Sequence, residues 1–335
     1  MTSTLVSQVE LDRIKLALVH AGELVALESL VGGVTFPFHV LAILHRLPEI
    51  VGRIRNLIRA VEVAGQQFFE AESKVFGHLT DSRIGVMEVL ATAAAPIAQL
   101  GLGAGRVWVR STLEQHNEPA PGSTSAMVDR LAAVAENPRP TLRVDVYGGQ
   151  LGRRFVVYVP GTKSFLGGPL DMRTNVLELA GKPSPVERAV ELALADSGAG
   201  AGDSVTVVGH SLGGMVAVSL ADKSAHGQLP YTVDKVIEVA APLGRHAPID
   251  GLKLLSIDGK GDLIPLLDGL GKPNWPGSST LKVPEPSLNV VKNHEIETYA
   301  TDLEGLGGSH WQSFGAVTGP PGRSRFFEFG VSEVP

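Results

Sequence analysis

Ser211 lies in the run VTVVGHSLGGMV (residues 205–216), two residues from Gly209 on one side and Gly213 on the other. A serine hydroxyl is a poor nucleophile at neutral pH. It attacks a carbonyl only when a base takes its proton and hydrogen-bond donors hold the oxyanion that forms. The spacing G-x-S-x-G, set between a strand and a helix, suits both needs. A sharp strand-to-helix turn strains the serine backbone and lifts its hydroxyl above the sheet edge. Gly209 and Gly213 fit such a turn because a Cβ at either place would meet backbone. The N–H of Leu212 then opens a helix and faces the oxyanion, and His210 is expected to be a packed supporting residue. The alternative reading of the five-residue pattern is an ordinary turn in a chain with 39 glycines.

The segments around the serine carry a consistent grammar. SVTVV precedes it as a strand apolar on both faces, and MVAVSLA follows it with helical periodicity. TLRVDVY alternates with period two, GGQLG turns, and RRFVVYVPG returns, so Thr141–Pro160 predicts a hairpin. PVERAVELALADSG predicts a helix; VDKVIEVAAP and LKLLSID predict strands. Alternation of strands and helices, with strands buried on both sides, predicts a mostly parallel sheet flanked by helices.

The N-terminal third reads differently. ELDRIKLALVHAGELVALESLVGG predicts a helix ended by Gly32 and Gly33. In the segment 53–79, Ile54, Leu57, Ile58, Val61, Ala64 and Phe68 recur on one helical face. The expected organisation is an α-helical hairpin or bundle over 1–110, a polar proline-bearing linker over 111–126, and an α/β domain over 127–335. AMVDRLAAVAENP, at the start of that domain, predicts a short helix stopped by Asn137-Pro138.

Composition narrows the partners. The 335 residues are 44% hydrophobic and 19% charged, enough apolar material for a packed core. With 29 basic and 35 acidic residues and no basic block, nucleic acid is not an expected partner. The absence of cysteine excludes disulfides and thiolate chemistry. Charges interrupt every apolar stretch of the N-terminus, so no signal peptide is expected. VLATAAAPIAQLGLGAG (89–105) is shorter than the ~20 apolar residues of a membrane span and holds Pro96 and Gln99, so no span is expected. Cytoplasmic retention and signal-free export both fit. The histidines lack metal-ligand spacing and no phosphate loop is present, so no metal or cofactor is expected.

The series VYVPGT, VTVVGHSLGG, AAPLG, GDLIP and NHEIETY resembles the α/β-hydrolase superfamily. More narrowly, it is similar to lipase- and esterase-like serine hydrolases of actinobacterial type that carry a helical region ahead of the catalytic domain. The likeness spans about Thr141–Leu303. The N-terminal helices resemble the helical hairpins of type VII secretion substrates, without their W-x-G turn.

This resemblance implies the order nucleophile, acid, base along the chain. The acid then maps onto Asp262 in the G-D-x-x-P turn, with Asp258 at the end of LKLLSID as the alternative. Either could instead cap a turn, and Asp268 reads as a turn residue. Four histidines follow the serine. His294, opening HEIETY with Tyr299 five residues on, is the expected base; His310 in GSHWQSF is the rival. His226 sits at a helix end, and His246 comes ahead of the acids. The second oxyanion donor is implied in the P-G-T loop, at the N–H of Thr162 or Lys163, beside that of Leu212. Asp171 and Asn175 downstream are expected to be structural.

The implied chemistry is hydrolysis of carboxylic esters, lipid esters among them, by Ser211, Asp262 and His294 through an acyl-enzyme. The same residues would serve an acyltransferase or a thioesterase. A domain without catalysis, its helices used for docking or secretion, is the reading from another class.

Overall fold

The computed structural model describes residues 105–332, apart from 150–151, 165–167, 245, 263, 267–271, 273 and 285–289. The helices expected before residue 105, and Asp268, lie outside the described residues.

Strand β4 (Ser204–His210) is buried from Val205 onward. Burial of successive residues requires cover on both faces, which a central strand has. It runs parallel to β3 (Gly152–Val159) on one side and to β5 (Thr232–Val239) on the other. Beyond β5 lie β6 (Lys253–Gly259) and β7 (Ser278–Val283), both parallel. On the far side of β3, β2 (Thr141–Gly149) pairs antiparallel, as the hairpin reading requires. With β1 (Arg106–Glu118) and β8 (Gly322–Ser332), the sheet order is β1-β8-β2-β3-β4-β5-β6-β7.

Helices cover both faces. On one side α3 (Pro185–Asp196) and α4 (Leu212–Ala225) bury Val186, Val190, Leu194, Met215 and Leu220 against Val157, Val207 and Val236 of the sheet. On the other, α1 (Thr124–Ala135) and α6 (Ile296–Gly305) bury Met127, Leu131, Ile296 and Leu303 against Val156, Val208 and Ile237. Three shorter α-helices, α2 (Met172–Leu179), α5 (Val290–Asn293) and α7 (Ser309–Phe314), and a 3-10 helix over Ile264–Leu266 are also present among the described residues. Side-chain caps start several of these. Ser123 accepts the Ala126 N–H, and Ser184 accepts that of Glu187 with Pro185 in the first turn. A mostly parallel sheet flanked by helices is consistent with the α/β-hydrolase fold.

The expected boundaries need correcting. Arg106–Glu118, read as the end of the helical region and the first half of a linker, is the edge strand β1, antiparallel to β8. It is polar because an edge strand leaves most of both faces in water. Register shifts at Ser111/Leu113 and His116/Glu118 blunt its free edge. Among the described residues, no helix is long and apolar enough to cross a membrane.

Candidate active site

The turn after β4 places Ser211 at the carboxyl edge of the sheet with φ 52° and ψ −115°. Positive φ is costly for a residue with a Cβ, and it persists only when the surroundings enforce it. Here the Ser211 N–H donates to the Val239 carbonyl at 2.8 Å, and the Ser211 carbonyl accepts the Gly214 N–H at 2.9 Å. A Cβ on Gly209 would overlap the Gly213 carbonyl group, and one on Gly213 would overlap the Val159 carbonyl. Both glycines are therefore dictated by close backbone approach.

Ser211 occupies the N-cap position of α4, yet its side chain makes no capping bond. The hydroxyl is turned to His294, with Oγ 2.9 Å from Nε2. The opposite ring nitrogen, Nδ1, lies 2.7 Å from Asp262 Oδ2. An ionised carboxylate can only accept, so Nδ1 carries the proton, Nε2 is bare, and the serine hydroxyl donates to it. Ser211, His294 and Asp262 are thus joined in one hydrogen-bonded series. The first two side chains come from residues 83 apart in sequence.

Asp262 is 3% exposed, just beyond β6. Its Oδ1 accepts the Ile264 N–H at 2.9 Å. Its Oδ2 accepts a second donor besides His294, the Tyr299 hydroxyl at 2.8 Å. Asp258, the alternative acid, is engaged elsewhere: its carboxylate meets Lys272 at 2.8 Å and Lys282 at 2.9 Å. Lys272 also pairs with buried Glu238. His310, the alternative base, is exposed on α7. That helix is tied to the start of α1, where the Thr124 hydroxyl donates to the Trp311 carbonyl. His226 is exposed and bonds the Asp222 carbonyl at 2.9 Å.

The residue before the serine has a defined place. Buried His210 lies with its Nε2 2.8 Å from the His294 carbonyl oxygen, which obliges Nε2 to carry the proton. Its ring centroid is 4.8 Å from that of His294. Burial, then the neighbouring His294, hold His210 well below the ordinary histidine range, so it stays neutral.

The loop after β3 lies against the turn: a Cβ on Gly161 would stand 3.2 Å from the Ser211 Cβ. The two expected donors of this loop separate here. The Lys163 N–H is committed to the Leu170 carbonyl at 2.8 Å. Its ammonium group donates to the Ala135 carbonyl at 2.9 Å and to that of Asn137, at the C-terminal end of α1. That end is where a cation is favoured. Lys163 is therefore a clamp for the loop. Thr162 is held from its side chain, whose Oγ1 accepts the Asn175 Nδ2–H at 2.6 Å. Asp171 starts α2, accepting the N–H groups of Arg173 and Thr174. The Leu212 N–H is among the first donors of α4, which have no intrahelical acceptor.

The bond from His210 to His294 and the bond from Tyr299 to Asp262 have no local sequence signal, because each joins segments far apart in the chain. Among the described residues, no group of three or more His, Asp or Glu is placed to hold a metal ion. Comparison with protein-family models and with curated proteins yields no match. Among solved structures, the chain is similar to the crystal structure of Lip2 lipase from Yarrowia lipolytica, at 12% identity and a TM-score of 0.26. That likeness covers 51% of this chain and 82% of the lipase.

Proposed function

We propose that this protein is a serine hydrolase of carboxylic esters, with Ser211 as nucleophile, His294 as base and Asp262 as the acid that orients it. The observation that carries this reading is the unbroken hydrogen-bond series from Asp262 through His294 to Ser211. The strained backbone at Ser211 and the Leu212 N–H at the start of α4 support it.

Nε2 of His294 takes the Ser211 proton as Oγ attacks the ester carbonyl carbon. The carbonyl oxygen becomes an oxyanion, stabilised by the N–H groups of Leu212 and Thr162. Asp262 stabilises the imidazolium but keeps its charge. The tetrahedral intermediate collapses, the bond to the leaving alcohol breaks, and the imidazolium gives that alcohol its proton. Water, deprotonated by the same imidazole, then attacks the acyl-serine and releases the acid, restoring the hydroxyl. A rate loss of roughly 10²–10³ is expected when one oxyanion donor is lost.

An active-site-directed fluorophosphonate tests the reading. The folded protein should be labelled at Ser211 and should hydrolyse p-nitrophenyl esters, and Ser211→Ala should do neither. A folded wild-type protein that resists the probe and leaves these esters intact would overturn it.

A further inference from the structure

The buried phenol of Tyr299 meets the same carboxylate oxygen as His294, which a merely space-filling tyrosine would not need to do. Its hydroxyl donates to Asp262 Oδ2 at 2.8 Å and accepts the Gly259 N–H at 2.8 Å. His294 Nδ1–H reaches the same Oδ2 from the other side at 2.7 Å. The chain of donors thus runs from the Gly259 N–H to the Tyr299 hydroxyl to Asp262, where it meets the imidazole. Tyr299 is 1% exposed, so these bonds are shielded from bulk solvent. A Cβ on Gly259 would stand 3.0 Å from the phenolic oxygen, which shows how closely the ring lies over this backbone.

We propose that Tyr299 is a positioning residue that sets how strongly Asp262 acts on His294. This rests on the reading of these residues as acid and base. The hydroxyl pins Oδ2 toward the imidazole and shares its negative charge, so His294 faces a weaker acceptor than an unshared carboxylate would be. Burial, and then the charge of Asp262, push the phenol upward from the ordinary tyrosine value, so it remains a neutral donor throughout the working range. The groups facing this pair are Ser211 and neutral His210 from β4 and its turn, and Tyr299 from α6. Asp258 at the end of β6 also acts on Tyr299, but its charge is met by Lys272 and Lys282.

The test is the pH profile of kcat/KM in Tyr299→Phe, with circular dichroism to check that the variant is folded. Without the shared donor, more of the carboxylate charge falls on the imidazole. The acid limb of the profile should move to higher pH by about half a unit. The plateau should fall about tenfold through kcat, with KM unchanged, because Oδ2 is no longer held. Site-specific 3-fluorotyrosine at position 299, a stronger donor of nearly the same shape, should move the limb the other way. A limb that stays in place in both variants, or activity lost only in proportion to folded protein, would overturn the proposal. The proton NMR signal of His294 Nδ1–H supplies a readout independent of turnover. It should move further downfield in Tyr299→Phe, even if the fluorophosphonate experiment rejects the hydrolase reading, and an unmoved signal would count against the proposal.

Discussion

His210 Nε2 sits 2.8 Å from the backbone carbonyl of His294, so the residue before the serine holds the segment that carries the imidazole. This bond crosses from the end of β4 to the turn ahead of α6. It keeps the ring of His294 over Ser211 by fixing its backbone, while Asp262 fixes its tautomer.

A pH dependence of stability follows. His210 is held well below the value of 6.5 that applies in the unfolded chain, because burial disfavours its charged form. Above about pH 6.5 the imidazole is neutral in both states, and its contribution does not change with pH. Below that, the unfolded chain binds a proton that the folded one refuses, and stability falls by up to about 1.4 kcal/mol per pH unit. His210→Gln keeps an N–H donor for the His294 carbonyl but does not titrate. Urea midpoints measured from pH 8 to pH 5 should fall less steeply in this variant than in the wild type; parallel slopes would show that His210 is not the group responsible.

Gly161 is where the loop after β3 touches the serine turn. A methyl group there would lie 2.7 Å from His210 Nδ1 and 3.2 Å from the Ser211 Cβ. Gly161→Ala should destabilise the fold by about 1–3 kcal/mol through overpacking. Displacing the loop that carries Thr162 should also cost roughly 10²–10³ in ester turnover. Thermal unfolding and p-nitrophenyl ester kinetics measure the two effects. Wild-type turnover in this variant would mean that Thr162 does not serve the oxyanion.

Glu178 of α2 is 2% exposed, beside Glu187 of α3, and accepts the Ser219 hydroxyl of α4 at 2.9 Å. Burial, then the charge of Glu187, push its carboxyl up to about 8. The folded chain therefore holds a proton that the unfolded chain releases near pH 4.5. Stability from this group is complete below about pH 4.5, declines as pH rises toward 8, and is flat beyond. Glu178→Gln, neutral at every pH, should match the wild type at acid pH and exceed it at pH 8.5 by on the order of 1–3 kcal/mol. Calorimetric melts at the two pH values decide this, and equal Tm values at pH 8.5 would refute the raised carboxyl.

Local pattern in the chain determined the elements that hold the site. The two-sided burial of VTVV, the period-two hairpin over 141–160 and the glycines around Ser211 each have a physical cause within a few residues. Side-chain spacing and backbone crowding act at that range, so they can be read from residue order alone. They indicated the strand-to-helix turn, while it was the resemblance to α/β-hydrolases that narrowed the imidazole and carboxylate to His294 or His310 and Asp262 or Asp258. Choosing within each pair depended on which loops meet above the carboxyl edge. Lys272 and Lys282 claim Asp258, and α7 carries His310 to an exposed surface. The same holds for Lys163, whose N–H turns to Leu170 in the 168–171 turn and whose ammonium group turns to the end of α1, rather than to Ser211. It holds too for β1 and β8. As a lone segment, an edge strand with both faces largely in water is hard to tell from a polar linker; it becomes a strand only when a partner from more than 200 residues away supplies its hydrogen bonds. Tyr299 and His210 complete the pattern, since the partners that give them meaning are brought to them only by the folded sheet.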